Sequence, residues 1–185
     1  HSNLLQSETH TFLEVERFDR TPQVLGRRGF VSLLALSSAF TGEATLSWHD
    51  AATQLVQQGW LASETVAQIA RLQAFGRLIG NTDMHQGNLG FHLIDAGPLP
   101  VAPVYDMLPM SLAPSRTGVL RAATALQPVA PGAVGDLHHL RWAAPLAAAF
   151  WGEVAASTAV RGGALRAVAG ENARRVEVLV RRFGG

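Results

Sequence analysis

The sequence predicts a mainly α-helical domain that carries a small β-hairpin. Three observations predict it. Apolar residues recur at helical spacing over much of the chain beyond His49, between capping residues and Gly stops. Two short apolar runs, Leu89 to Ile94 and Leu99 to Val104, flank the turn signal Asp95-Ala96-Gly97-Pro98. The 185 residues are 48% hydrophobic and 16% charged, against roughly 25% charged in an average chain, so a sizeable core is expected.

The elements follow in order. Thr11 to Phe18 (TFLEVERF) reads as a strand by residue type, although Leu13 breaks strict alternation. Asp19-Arg20-Thr21-Pro22 reads as a turn, and Gly26-Arg27-Arg28-Gly29 as a short flexible basic loop. Phe30 to Phe40 is either a strand followed by a turn or a helix, and the pattern does not decide; Thr41-Gly42 ends it. His49-Asp50 looks like an N-cap for a helix over Ala51 to Gln58, stopped by Gly59. Ser63 is a second N-cap, with Glu64 suited to the positive end of the helix dipole. Ile69, Leu72, Phe75, Gly76 and Ile79 line one face of that helix, which ends near Gly80. Leu89 to Ile94 then reads as a strand, with Leu99 to Val104 returning beside it. Prolines 109, 114, 128 and 131 make the next stretch irregular, so Leu112 to Gly135 is expected to wrap the surface. Asp136 suits the cap of a short helix through Trp142, and Pro145 the first turn of another, with Leu146, Phe150 and Val154 in one stripe. After Gly162-Gly163, Leu165, Val168, Val176, Leu179, Val180 and Phe183 form the buried face of a last helix. Glu171–Arg175 and Glu177–Arg181 are favourable i,i+4 pairs on it.

Composition narrows the function classes. Net charge is +1, so no nucleic-acid footprint is advertised. No apolar run approaches the roughly 18 residues of a membrane span, and the N-terminus has no signal-peptide core, so the expected location is the cytoplasm. With no Cys, disulfides and thiolate metal sites are excluded. All 15 basic residues are Arg; a GC-rich coding bias accounts for this, as the Ala and Gly content suggests. The consequence is chemical, because kinase folds usually place a Lys on the nucleotide phosphates.

The chemistry concentrates in Ile79-Gly80-Asn81-Thr82-Asp83-Met84-His85-Gln86-Gly87-Asn88-Leu89. An acid, an imidazole and an amide share a Gly-punctuated loop, and a second acid follows in Val104-Tyr105-Asp106-Met107. The predicted hairpin would return Asp106 toward Asn88. Asp83 and Asn88 stand five positions apart, the spacing of the Asp and Asn of a protein-kinase catalytic loop. Phosphoryl transfer depends on positioning and on stabilising charge on phosphate oxygens. In that reading Asp106 and Asn88 offer magnesium hard oxygen ligands. Asp83 stays off the metal and takes the acceptor hydroxyl's proton. His85 either stabilises the loop or meets a phosphate. Taken singly, each is ordinary turn chemistry; four such groups bracketing one hairpin are not.

The loop GNTDMHQGNLGF, followed by PVYDML, resembles the HipA-type serine/threonine kinases of bacterial toxin–antitoxin systems, and FLEVERFDR, Phe12 to Arg20, resembles the family's linker between lobes. The resemblance implies the mostly helical C-terminal lobe of a two-lobed kinase. It divides the chain into a hinge or interlobe strand over residues 1–20 and a helical lobe over 21–185. It implies that Asp83 is the catalytic base and that Asn88 and Asp106 are magnesium ligands. His85, Gln86 and Gly87 approach ATP, and Tyr105 and Met107 flank the metal Asp. Glu16, Arg17 and Phe18 meet the adenine. Expected cofactors are magnesium and ATP; expected partners are a protein substrate, an antitoxin with its DNA operator, and the N-terminal lobe, whose phosphate loop and Lys this chain lacks.

Two other readings compete. The lobe could be a non-catalytic module of a regulatory protein or DNA complex. It could be a metal-dependent hydrolase using Asp83, His85 and Asp106, although such sites usually hold more His and carboxylate ligands. Trp48, Trp60, Trp142 and Trp151 read as core rather than as ligand-stacking residues. His138-His139 beside Asp136 is not expected to bind metal, since adjacent side chains on a regular element diverge. Arg27-Arg28, Arg174-Arg175 and Arg181-Arg182 read as solvated basic surface.

Overall fold

The computed structural model describes residues 2–21, 26–115, 117, 119, 126, 134–160 and 162–183, with backbone alone at 134–136 and 183. Helices dominate it, joined by three two-stranded sheets rather than one hairpin. β1 (Ser2–Gln6) and β2 (Thr11–Val15) form an antiparallel hairpin with Leu4 opposite Leu13 and Leu5 opposite Phe12. The strand expected over Thr11 to Phe18 therefore stops at Val15. β3 (Arg20–Thr21) and β4 (Gly26–Arg27) pair where a turn and a flexible basic loop were expected. The Arg28 N–H donates to the Asp19 carbonyl at 2.9 Å and extends that pairing.

Phe30 to Phe40 contains both of its alternatives. β5 (Phe30–Ser32) passes directly into α1 (Leu33–Phe40). Ser32 makes the switch: its backbone stays extended and its hydroxyl accepts from the Ala35 N–H at 3.2 Å. α2 (Trp48–Gln57) starts earlier than His49-Asp50 suggested, because Ser47 is the true N-cap, accepting from the Asp50 N–H. α3 (Ser63–Leu78) is capped at Ala62 without a side-chain bond, since the Ser63 hydroxyl turns to Glu64. β6 (Gly90–His92) pairs chiefly with β5, with Phe91 opposite Val31. The expected returning strand survives as a single bridge, Phe91 to Val101.

α4 (Val134–Ala156) is one helix where two were expected, with Pro145 inside it. An interior Pro removes one N–H bond and costs about 3 kcal/mol. Pro145 lies on the exposed side with Arg141, the residue whose carbonyl loses its partner, while Ala143, Ala144, Ala147 and Trp151 are buried and hold the helix through the defect. Of the stripe expected at Leu146, Phe150 and Val154, Leu146 is exposed, while Phe150 and Val154 are partly buried against the cluster that the alanines and Trp151 fill. α5 (Gly163–Phe183) packs along α4. Ala169, Asn172 and Val176 are its most buried positions, and the Phe183 side chain lies outside the described residues, as does most of 112–135.

Two apolar clusters result. Leu33, Trp48, Leu55, Ile69, Leu89 and Phe91 anchor one between α1, α2, α3 and β6; Leu78, Ile79, Leu140, Ala147 and Trp151 anchor the other between α3, α4 and α5. α3 serves both, and Met107 packs against both. The segment next to Asp106 thus sits at their junction. No helix among the described residues is long and apolar enough to cross a membrane.

Candidate functional site

The loop of residues 81–88 starts from a built helix end. Past the last residue of α3, the Gly80 N–H donates to the Arg77 carbonyl at 3.2 Å and the Asn81 N–H to the Gly76 carbonyl at 2.8 Å. This is the doubled capping of a Schellman motif, which places Gly80 in the left-handed region, at φ +74°. A side chain there would also press on Ser111 Oγ and Leu126 Cδ2, both 2.5 Å from a built Cβ.

The rest of the loop is held from outside. The Trp48 indole, from the buried start of α2, donates to the His85 carbonyl at 2.9 Å. Gln86 is buried, and its amide nitrogen reaches the carbonyls of Glu43 and Leu46 at 3.3 and 3.1 Å. Tyr105 donates its hydroxyl to the Gly87 carbonyl at 2.6 Å. His85 Nδ1 accepts from the Gly87 N–H at 3.0 Å and caps the short 3₁₀ turn Gln86–Asn88. A neutral ring with that bond carries its proton on Nε2, 3.9 Å from Asp83 Oδ1. A Cβ on Gly87 would lie 2.8 Å from the imidazole, so a side chain there would push the His85 ring off its cap.

The three oxygen-bearing residues are linked by amides. Asn88 is 8% exposed, and its side-chain nitrogen donates to the Asp83 backbone carbonyl at 3.0 Å. Asn81 is 4% exposed; its Oδ1 accepts from the Asp83 N–H at 2.9 Å, and its Nδ2 approaches the Asp106 carbonyl at 3.4 Å and Met107 Sδ at 3.5 Å. The Asp83 side chain is half exposed, so its carboxylate stays open to a ligand while its backbone is fixed on both sides. Asp106 is the sole non-Gly residue at positive φ, 54°, among the described residues. Asp tolerates that region better than most, and strained backbone of this kind clusters at functional sites.

An aromatic group adjoins the loop. Phe18 stacks on Tyr105, centroids 6.0 Å and planes 27° apart, and Phe30 and His92 meet Phe18 at 5.7 and 5.8 Å. Phe30 fits there because Gly90 carries no side chain; a Cβ would run into its ring. Burial, and then the Asp106 charge, push the Tyr105 phenol above its ordinary pKa, so it remains a hydrogen-bond donor. Glu16 and Arg17 are exposed, and the Arg17 guanidinium forks onto Asp19 at 2.7 and 2.6 Å, holding that carboxyl below its ordinary range.

The structure therefore gathers Asp83, His85, Gln86, Gly87, Asn88, Tyr105, Asp106 and Met107 around one loop, with Phe18 against Tyr105; the Arg17 side chain is engaged elsewhere. No cluster of three His, Asp or Glu side chains suited to a metal occurs among the described residues. The His138 and His139 rings meet edge to face, 5.4 Å between centroids. Sequence reasoning missed Asn81, Trp48, Phe30 and His92. Asn81 stood in view after Gly80 in the same stretch, without a role of its own.

The chain belongs to the HipA-like C-terminal domain family, whose model matches residues 1–180. It is 41% identical over 189 residues to the toxin YjjJ of Escherichia coli strain K12, a match covering 98% of this chain and 40% of YjjJ. It also resembles, with a TM-score of 0.66 at 16% identity, the solved toxin–antitoxin complex of Shewanella oneidensis MR-1 HipA, HipB and operator DNA, covering 100% of this chain and 51% of that one. The chain thus spans about two fifths to half the length of these relatives.

Proposed function

We propose that this chain is the catalytic C-terminal lobe of a kinase-like fold, and that the full-length protein is a serine/threonine kinase passing the γ-phosphate of ATP to a protein hydroxyl. One observation carries the reading: the hydrogen-bond chain in which Asn81 and Asn88 tie the backbones of Asp83 and Asp106 into one unit. Family membership supports the same class.

The donor set fits magnesium, which prefers hard oxygen ligands. Asp106 offers a carboxylate. Asn88 has committed its side-chain nitrogen to Asp83, so its Oδ1 is the atom left for a metal. Bound there, magnesium would neutralise charge on the phosphate oxygens. Asp83 orients the acceptor hydroxyl and takes its proton. His85 holds the loop through Nδ1 and presents Nε2–H toward Asp83. Phe18 and Tyr105 offer aromatic surface for adenine, and the backbone of Glu16 to Phe18 offers it hydrogen bonds. Kinase folds usually place a Lys on the phosphates; this chain has none, and the proposed source of that Lys is the remainder of the full-length protein. The exposed apolar hairpin β1–β2 supports cover by that remainder. An antitoxin and its operator DNA are proposed partners by likeness to the Shewanella complex, and the cytoplasm is the proposed location.

The test is phosphate transfer by the full-length protein with Mg·ATP. Wild type transfers phosphate, and Asp83→Asn does not while still binding nucleotide. A full-length protein that binds no nucleotide ends the enzymatic reading and leaves the regulatory module, in which Asp83→Asn leaves partner binding intact.

A further inference from the structure

We propose that Asn81 is a positioning residue that sets the proton-accepting carboxylate and the metal-binding carboxylate at a fixed separation; this rests on the kinase reading above. Asp83 and Asp106 lie on different segments, 23 positions apart in sequence. Tyr105, beside Asp106, reaches the same loop at Gly87, but Asn81 is the side chain that bonds to the backbone of both acids. The buried Asn81 amide reaches both, accepting from the Asp83 N–H on one side and donating toward the Asp106 carbonyl and Met107 sulfur on the other.

The two ends of the amide do different work. The oxygen end, at 2.9 Å, orders the loop that carries Asp83. The nitrogen end, at 3.4 Å, sets where the strained Asp106 backbone stands. Asn81 is itself fixed, because its N–H closes the end of α3 on the Gly76 carbonyl. Gly76 lacks the side chain that would displace Met84 and Met107, so the helix end, the loop and the Asp106 segment pack against one another. An ionised Asp at this position accepts but cannot donate, and an Ala does neither, whereas the amide accepts through Oδ1 and donates through Nδ2.

Two variants of the full-length protein separate the ends. Asn81→Asp keeps the acceptor for the Asp83 N–H and loses the donor; Asn81→Ala loses both. Hydrogen exchange at the Asp83 amide without nucleotide reads the first end. The magnesium concentration for half-maximal binding of a non-hydrolysable ATP analogue reads the second, and kcat against KM for ATP reads the outcome. Asn81→Ala should speed Asp83 exchange, raise the magnesium requirement several-fold and lower kcat by about tenfold to a hundredfold with little change in KM. Asn81→Asp should leave Asp83 protected while raising the magnesium requirement. The inference is overturned if both variants keep the wild-type magnesium requirement and kcat, or if kcat falls only in step with melting temperature. Failure of the wild-type protein to bind nucleotide is a different result, and overturns the kinase reading along with this one.

Discussion

Two short segments of this molecule are organised in opposite ways. The loop of residues 81–88 is polar, yet Asn81, Gln86 and Asn88 are buried, and the loop is bonded to α2 at His85, to the 43–46 connection at Gln86 and to Tyr105 at Gly87. The β1–β2 hairpin is apolar, yet Leu4, Leu5, Phe12, Leu13 and Val15 are 48–65% exposed. Leu4 and Leu13 face one way and Leu5 and Phe12 the other, so neither face of the ribbon is covered. A lone two-stranded hairpin is at best marginal in water. The polar loop is completed by contacts within the chain; the apolar hairpin calls for contacts outside it.

The largest expected effect breaks the loop's chemistry without touching its structure. Asp83 contributes to the hydrogen-bond framework through its backbone, and its carboxylate is half exposed. Asp83→Asn in the full-length protein should lower phosphate transfer by about 10²–10⁴-fold. Its thermal unfolding should match wild type. A variant that unfolds early would mean the carboxylate is structural.

The next prediction attacks the loop's geometry. Gly80→Ala forces a side chain into left-handed backbone and against Ser111 and Leu126. A cost of about 1–3 kcal/mol is expected in denaturant unfolding of this chain. An unchanged midpoint would show that α3 does not need this turn to deliver Asn81.

A smaller effect tests the support beneath Trp48. The Ser47 hydroxyl caps α2 and also donates to Asp50 at 2.7 Å, which holds the Asp50 carboxyl below its ordinary pKa, with His49 adding to it. Ser47→Ala should cost about 1 kcal/mol at neutral pH. A depressed folded-state pKa gives stability that is present above the unfolded value, about 3.9, and lost as pH falls through the folded one. The gap between wild type and Ser47→Ala should therefore narrow below that range. A gap independent of pH would assign the whole effect to the backbone cap.

How far this arrangement was legible depended on the range of the interaction that fixes each part. α3, its Gly80 stop and the ion pairs Glu171–Arg175 and Glu177–Arg181 rest on neighbours within a few positions, and the sequence displays them. The start of α2 went astray because His49-Asp50 reads as the cap, whereas the extended backbone and hydroxyl of Ser47 fill that role. Pro145 read as a break because the burial of Ala143, Ala147 and Trp151 that overrides it is tertiary. In the site, the residue types of Asp83, Asn88 and Asp106 were visible with their spacing. The bridge through Asn81 spans 25 positions to Asp106 and the Trp48 bond spans 37, and no local pattern encodes either.

The smallest effect on this chain is expected where the apolar surface is largest. Phe12→Ser with Leu13→Ser removes two side chains that are 54% and 65% exposed. Exposed side chains contribute little, so the unfolding midpoint of the chain alone should move by no more than about 0.5 kcal/mol, while its solubility improves. In the full-length protein the same pair should cost clearly more, since fully burying a Leu or Phe is worth about 1.5–3 kcal/mol. The comparison between the two lengths is the decisive measurement. Equal, small effects in both would leave the hairpin solvated in the whole protein and remove it as support for a covering lobe. A large loss already in the chain alone would mean the hairpin folds back on its own helices.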